Sequence, residues 1–210
     1  MDTSELCGAL LLQYPVSSRW NDDPYVVMFQ SVLVQNTSWK CVITTCASMT
    51  VELIPSSIDA LDVSELESQI RSCGFCKRKA LTIKSLTSWY IGHSCNSDLI
   101  REMEYLALLD ELTSLPGVGR ETSDVILCYA FGFPVVVIDA YLRAIAGRVC
   151  GFTGDDNALR GKLEYVRSQG VDACGRFHRA VLEHGISVCG RTPKCDGCCF
   201  AERCEYNRKK

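Results

Sequence analysis

Leu115-Pro-Gly-Val-Gly119, running directly into Arg120-Glu-Thr-Ser-Asp-Val-Ile-Leu-Cys-Tyr-Ala-Phe131, is the stretch that decides the fold. Apolar residues on either side of the glycines, over 103–114 and 121–131, recur at helical spacing. Gly117 and Gly119 therefore mark a tight turn between two helices, where the missing side chains let backbone N–H groups approach a ligand. The positive end of the second helix adds to that, and the combination suits a phosphate held without any reading of sequence. In these five residues alone an ordinary αα-hairpin reads the same way.

Outward from the hairpin the helical pattern continues. Tyr25, Phe29, Val32 and Leu33 recur at three- and four-residue spacing, and Ser64–Arg71, Arg78–Ile91, Ala140–Val149, Asn157–Ser168 and Ala173–Val188 read as further helices. Pro15, Pro55, Pro116, Pro134 and Pro193 fall between these segments, where a helix must break. The fold class is all-α. The β-branched run Pro134-Val-Val-Val-Ile138 has no partner of similar character, so it predicts a buried extended connector that delivers Asp139 to a fixed place.

The chain has 210 residues, 47% of them hydrophobic, which is enough for one large domain or two smaller ones sharing a cleft. No apolar stretch approaches the roughly 20 residues that span a bilayer. The opening MDTSELCGALLLQYP carries acidic residues and no basic start, unlike a signal peptide, and the expected location is the cytoplasm. A formal net charge of −3 excludes a protein coated in positive charge. Any nucleic-acid surface must then be local, with candidates at Arg71, Arg78 and Lys84, at Arg143 and Arg148, and in the tail Arg208, Lys209 and Lys210. Solvated helix faces carry similar runs.

Fourteen cysteines without an export signal read as reduced thiols and metal ligands. Four form a cluster, Cys189-x5-Cys195-x2-Cys198-x5-Cys204, whose thiolates can close on a [4Fe–4S] cluster or a structural zinc. Cys199 reads as a spare beside Cys198, with a swapped ligand left open. Cys73-Gly-Phe-Cys76 has the spacing of a thioredoxin-like site but no βαβ surroundings. His178 and His184, six apart on one helix, do not share a face, and His178 reads as a satisfied polar group near a domain junction.

The stretch LPGVGRETSDVILCYAFGFPVVVIDAYLRAIAGRV resembles the helix-hairpin-helix, Gly/Pro-rich loop and aspartate of endonuclease III-like DNA glycosylases (HhH-GPD). In that family the aspartate stands 20 residues beyond the second hairpin glycine, as Asp139 does from Gly119. The likeness extends to Phe29-Gln-Ser-Val-Leu-Val-Gln-Asn-Thr-Ser-Trp39, Gly74-Phe-Cys-Lys-Arg-Lys-Ala80, Arg176-Phe-His-Arg179 and the cysteine cluster. It is nearest to the 3-methyladenine DNA glycosylase III subgroup in the QNT-x-aromatic stretch, the Gly-x-Glu-[Ser/Thr] continuation and the Arg-Phe-His. The resemblance favours [4Fe–4S] as the cofactor, although the common family spacing has six residues in the first gap where this chain has five.

What the resemblance implies for the site can be stated residue by residue. Asp139 is the catalytic carboxylate, able to stabilise positive charge on a sugar and to orient water, while also suited to cap the helix at Ala140. Gln35 and Asn36 sit where the family fills the gap left by an extruded nucleotide, or form a buried amide bonded to backbone. Gly117, Gly119 and Arg120 contact DNA. Trp39 and Trp20 line an alkylpurine pocket with Glu121, since indole faces suit cationic bases, or pack in the core as lone tryptophans commonly do. Bifunctional members carry a lysine at the position of Glu121, and a carboxylate cannot form a Schiff base.

The organisation these readings imply is a helical barrel over 22–134 facing a second lobe made of 1–21 and 135–210, with the active site in the cleft between them. The implied function is a monomeric, monofunctional DNA glycosylase of base excision repair without strong AP lyase activity. Its partner is double-stranded DNA bearing an alkylated purine such as 3-methyladenine, which is its only tie to the nucleoid. Alternatives are a glycosylase for mismatched or deaminated bases (thymine, uracil, hypoxanthine) or for adenine, and a non-catalytic iron–sulfur DNA-binding protein.

Overall fold

The computed structural model describes residues 1–17 and 20–209, so Lys210 of the basic tail lies outside the described residues. Among them the chain is helical, with no strand, and no helix is long and apolar enough to cross a membrane. The helices are α1 (Thr3–Gln13), α2 (Pro24–Leu33), α3 (Trp39–Ser48), α4 (Pro55–Ala60), α5 (Val63–Gln69), α6 (Cys76–Gly92), α7 (Ser97–Arg101), α8 (Tyr105–Ser114), α9 (Arg120–Tyr129), α10 (Ala140–Cys150), α11 (Asp156–Lys162), α12 (Glu164–Ser168), α13 (Val171–Ser187) and α14 (Glu205–Arg208). A single 3₁₀ turn, Arg71–Cys73, separates α5 from α6. The chain divides into two compact units, Trp20–Phe133 and Met1–Arg19 with Pro134–Lys210.

The Trp20–Phe133 unit is organised on α2, whose Tyr25, Val27, Met28, Phe29, Val32 and Leu33 are all buried. A helix apolar on so much of its circumference must be enclosed, and α2 packs against both α6 and α9. Its start is fixed by Asp23, which accepts N–H bonds from Tyr25 and Val26 just before Pro24 at the first helical position. Lys79 of α6 is buried and donates to the carbonyls of Leu33 and Cys73 at 2.8 and 2.7 Å. One ammonium thus ties the end of α2 to the 3₁₀ turn, and burial lowers its pKa.

The other unit is built on α13, which packs against α1, α10 and α12. Its Ala173, Phe177, Ala180, Val181 and His184 form the buried stripe of an amphipathic helix. α1 opens with a capping box in which Asp2 and Glu5 each accept the other's backbone N–H. The connector 134–138 is neither helix nor strand, and Val135, Val136, Val137 and Ile138 are buried. Arg160 satisfies the Val136 carbonyl at 2.9 Å. Three local expectations differ from what is found. The helix expected over 157–168 is two helices meeting at Leu163, the one over 64–71 gives way to the 3₁₀ turn, and α1, α3, α4, α7 and α14 lie outside the stretches expected to be helical.

Candidate active site and cysteine centre

In the Trp20–Phe133 unit the hairpin joins α8 to α9 at 115–119. Gly117 has φ +82°, and a Cβ there would collide with Thr82 Oγ1, so this position excludes any side chain twice over. Gly119 is the N-cap of α9 at φ −90°, with open space around it and no side-chain cap. Gln35 braces the turn by donating to Gly117 O at 3.3 Å and Thr122 Oγ1 at 2.9 Å. Its amide thus lies on the hairpin, while neighbouring Asn36 is exposed with φ +55°. Arg120 pairs with buried Asp124 at 2.9 Å and donates to Tyr105 Oη at 3.2 Å, and Glu121 is exposed in the first turn of α9.

Trp20 and Trp39 meet edge to face, with centroids 5.1 Å apart. Tyr129 joins them at 5.2 Å from Trp20, whose Nε1–H donates to Gln30 Oε1 at 2.8 Å. Gln30 is buried, whereas Trp39 is 42% exposed, so the group has a fixed base and one open indole. Sequence reading did not single out Tyr129 or Gln30. Nor did it single out Phe75, which is 69% exposed with φ +48°, a left-handed conformation rare for a bulky residue.

Several of the expected basic contacts have internal duties. Lys84 donates to the carbonyls of Ile58, Asp59 and Leu61 at the end of α4. In the other unit Arg143 grips Asp156 with two bonds of 2.8 Å. Cys73 stands 3.7 Å from Cys41 Sγ, and no bond between Cys73 and Cys76 is present.

Asp139 ends the buried connector as the N-cap of α10, its Oδ1 accepting the Leu142 N–H at 2.7 Å. Its Oδ2 faces His178 Nε2 of α13 at 3.8 Å, and both residues are buried. His178 thus stands beside the carboxylate, a pairing of residues far apart in the chain that local pattern does not reveal.

Cys189, Cys195, Cys198 and Cys204 all line one cavity, together with Arg148, His184 and Tyr206, and exposed Cys199 is not part of its wall. Among the described residues no three His, Cys, Asp or Glu converge on a single-ion position. Arg148 Nη1 donates to the carbonyls of Cys189 and Gly190 at 2.8 and 2.7 Å and lies 3.5 Å from Cys189 Sγ. The Phe200 N–H donates to Cys198 Sγ at 3.4 Å. Donors thus already face two of the four sulfurs, while Cys204 Sγ lies 3.4 Å from the Arg148 carbonyl and burial raises the Cys198 thiol's pKa.

Residues 29–167 match the family model described as HhH-GPD superfamily base excision DNA repair protein. The chain belongs to this superfamily. Among its relatives, MJ1434 of Methanocaldococcus jannaschii, named as a DNA repair glycosylase, is 29% identical, the match covering 93% of this chain and 92% of that one. Endonuclease III of Sulfolobus acidocaldarius is 28% identical over 87% of this chain and 82% of its own. An endonuclease III in a non-covalent DNA complex has the same fold, with TM-score 0.77, 22% identity and coverage of 98% and 95%. So does the H. pylori 3-methyladenine DNA glycosylase bound to 1,N6-ethenoadenine, with TM-score 0.70, 21% identity and coverage of 88% and 97%. The HhH-GPD match takes in both the hairpin and Asp139.

Proposed function

We propose that this chain is a monofunctional DNA N-glycosylase that removes alkylated purines, such as 3-methyladenine, from double-stranded DNA. The observation that carries the reading is Asp139, a buried carboxylate with one oxygen pinned by the Leu142 N–H and the other facing His178. Such a group is held ready for charge that develops on a sugar. In the proposed reaction the C1′–N bond breaks, its electron pair leaves with the base, and Asp139 stabilises the cationic sugar. A water oriented by the same carboxylate bonds to C1′ and gives its proton up to solvent, because a cationic alkylated base becomes neutral on leaving with the electron pair. The products are a free base and an abasic site in an intact strand.

Glu121 supports the monofunctional form, because strand cleavage through a Schiff base needs an amine where this helix carries a carboxylate. The Trp20–Trp39–Tyr129 group supports an alkylated purine, since an electron-poor, cationic base gains from indole faces. Gly119, the open start of α9, Asn36 and Phe75 are assigned to DNA, the backbone N–H groups to phosphate and Phe75 to a base step. Cys189, Cys195, Cys198 and Cys204 would hold a [4Fe–4S] cluster, whose ligands stand further apart than those of one tetrahedral ion. When bound, the cluster supplies a redox-active cross-link of the 189–204 loop.

The test is single-turnover base release from duplexes carrying 3-methyladenine, 7-methylguanine, hypoxanthine, uracil, 8-oxoguanine or T·G. The alkylated purines should be released fastest. Asp139→Asn should lower that rate by about 10²-fold or more, while melting within a few degrees of wild type because Asn caps a helix as Asp does. Equal rates for the two proteins would exclude Asp139 as the catalytic group, and preferential release of uracil or of thymine from T·G would change the substrate class.

A further inference from the structure

His184 Nε2 is, among the described residues, the one buried side-chain nitrogen or oxygen without a hydrogen-bond partner. The ring is fully enclosed, edge-on to Phe200 with centroids 5.0 Å apart, and it forms part of the wall of the cysteine cavity. Everything else about the residue is tied down. Its carbonyl accepts the N–H of Cys189 at 2.8 Å, and its Nδ1 lies 2.8 Å from Tyr14 Oη. Buried polar atoms are paired in folded proteins, so an orphan of this kind points to a partner that is not protein. The cavity it shares with four cysteines offers sulfur as acceptor.

We propose that His184 is a positioning residue for the iron–sulfur cluster, donating Nε2–H to one of the cluster's sulfurs while the Tyr14 hydroxyl donates to Nδ1. The inference rests on the cluster reading given above. Two sulfur-facing donors are already present, the Arg148 guanidinium at Cys189 and the Phe200 N–H at Cys198, and His184 adds a third from another element. Tyr14 has a defined part in this arrangement. By donating to Nδ1 it selects the tautomer that carries hydrogen on Nε2, as outer partners do for metal-bound histidines. Hydrogen bonds to cluster sulfurs favour the more reduced, more negative state, so these residues raise the reduction potential.

The test uses holoprotein, with iron content, film voltammetry on a DNA-modified electrode and proton ENDOR of the paramagnetic cluster in H₂O and D₂O. Wild type should contain about four irons and show an exchangeable proton coupled to the cluster. His184→Leu should shift the potential to more negative values and lose that proton signal, and His184→Gln, which keeps an N–H donor, should recover part of both. Should His184→Leu fail to retain iron, Tyr14→Phe carries the test, since it removes one hydroxyl and should give a smaller shift of the same sign. An unchanged potential and proton signal in an iron-loaded His184→Leu, or an unchanged potential in iron-loaded Tyr14→Phe, would overturn the role of this pair alone. Wild type without iron would overturn the cluster reading itself.

Discussion

The two units place their chemistry differently. In the unit containing residues 134–209 the informative side chains are enclosed: Asp139, His178, His184, Cys189 and Cys204 are all buried. In the Trp20–Phe133 unit they lie open, as in Phe75, Trp39, Asn36 and the uncapped start of α9. Enclosed polar groups must find their partners in the fold or in a bound group, because water cannot serve them. Open ones can wait for a large ligand whose backbone and bases complete them. The contrast separates residues whose loss should break chemistry or folding from residues whose loss should weaken binding.

The largest effect should come from the enclosed side. If the proposed cluster is bound, Cys195→Ser or chelation should destabilise the protein by on the order of 4 kcal/mol or more, because the group proposed to hold four points of the 189–204 loop would be lost. Iron content and thermal unfolding by circular dichroism measure this. A colourless protein with one zinc that responds in the same way would keep the stability argument and replace the cluster.

The hairpin glycines sharpen the comparison within one turn. Gly117→Ala meets Thr82 and a positive φ, and should cost about 1–3 kcal/mol in urea unfolding as well as weaken duplex binding. Gly119→Ala has open space and an ordinary φ, and should cost no more than about 1 kcal/mol, the difference between Gly and Ala at an N-cap. Equal losses from the two would mean that the turn is not constrained as described. The smallest effect on folding belongs to Phe75→Ala. Its stability should change by no more than about 0.5 kcal/mol, while duplex affinity falls about 5- to 10-fold, as loss of one stacked or wedged aromatic implies. Undiminished affinity would remove Phe75 from the DNA-facing set.

What could be read from the sequence was what neighbouring residues decide. The hairpin was legible because two glycines and two helical periods lie within one short stretch, and the buried connector because five residues announce it. Asp139 was legible by its distance from Gly119 in a resembling family. The His178 partner of Asp139, the Gln30 and Tyr129 supports of Trp20, and the orphaned Nε2 of His184 were not legible, since each depends on packing between separate helices. α3 was missed because its β-branched and polar residues, Val42, Ile43, Thr44 and Thr45, carry weak helix propensity, which packing and the Ser38 cap override. The break between α11 and α12 at Leu163 has no proline to mark it. Lys84 and Arg148 read as surface charge, yet their hydrogen bonds go to main-chain carbonyls. Charge in a sequence does not tell where a long side chain ends.

The central claim is that water, not an amine of the protein, attacks the sugar after the base departs. Borohydride reduction during turnover on a duplex containing 3-methyladenine tests it most directly, because the hydride captures any Schiff base as a permanent protein–DNA bond. The account predicts free base in yield equal to enzyme-processed sites, strands that break only after alkali or heat, and no trapped adduct. A covalent adduct accumulating in step with base release would contradict it.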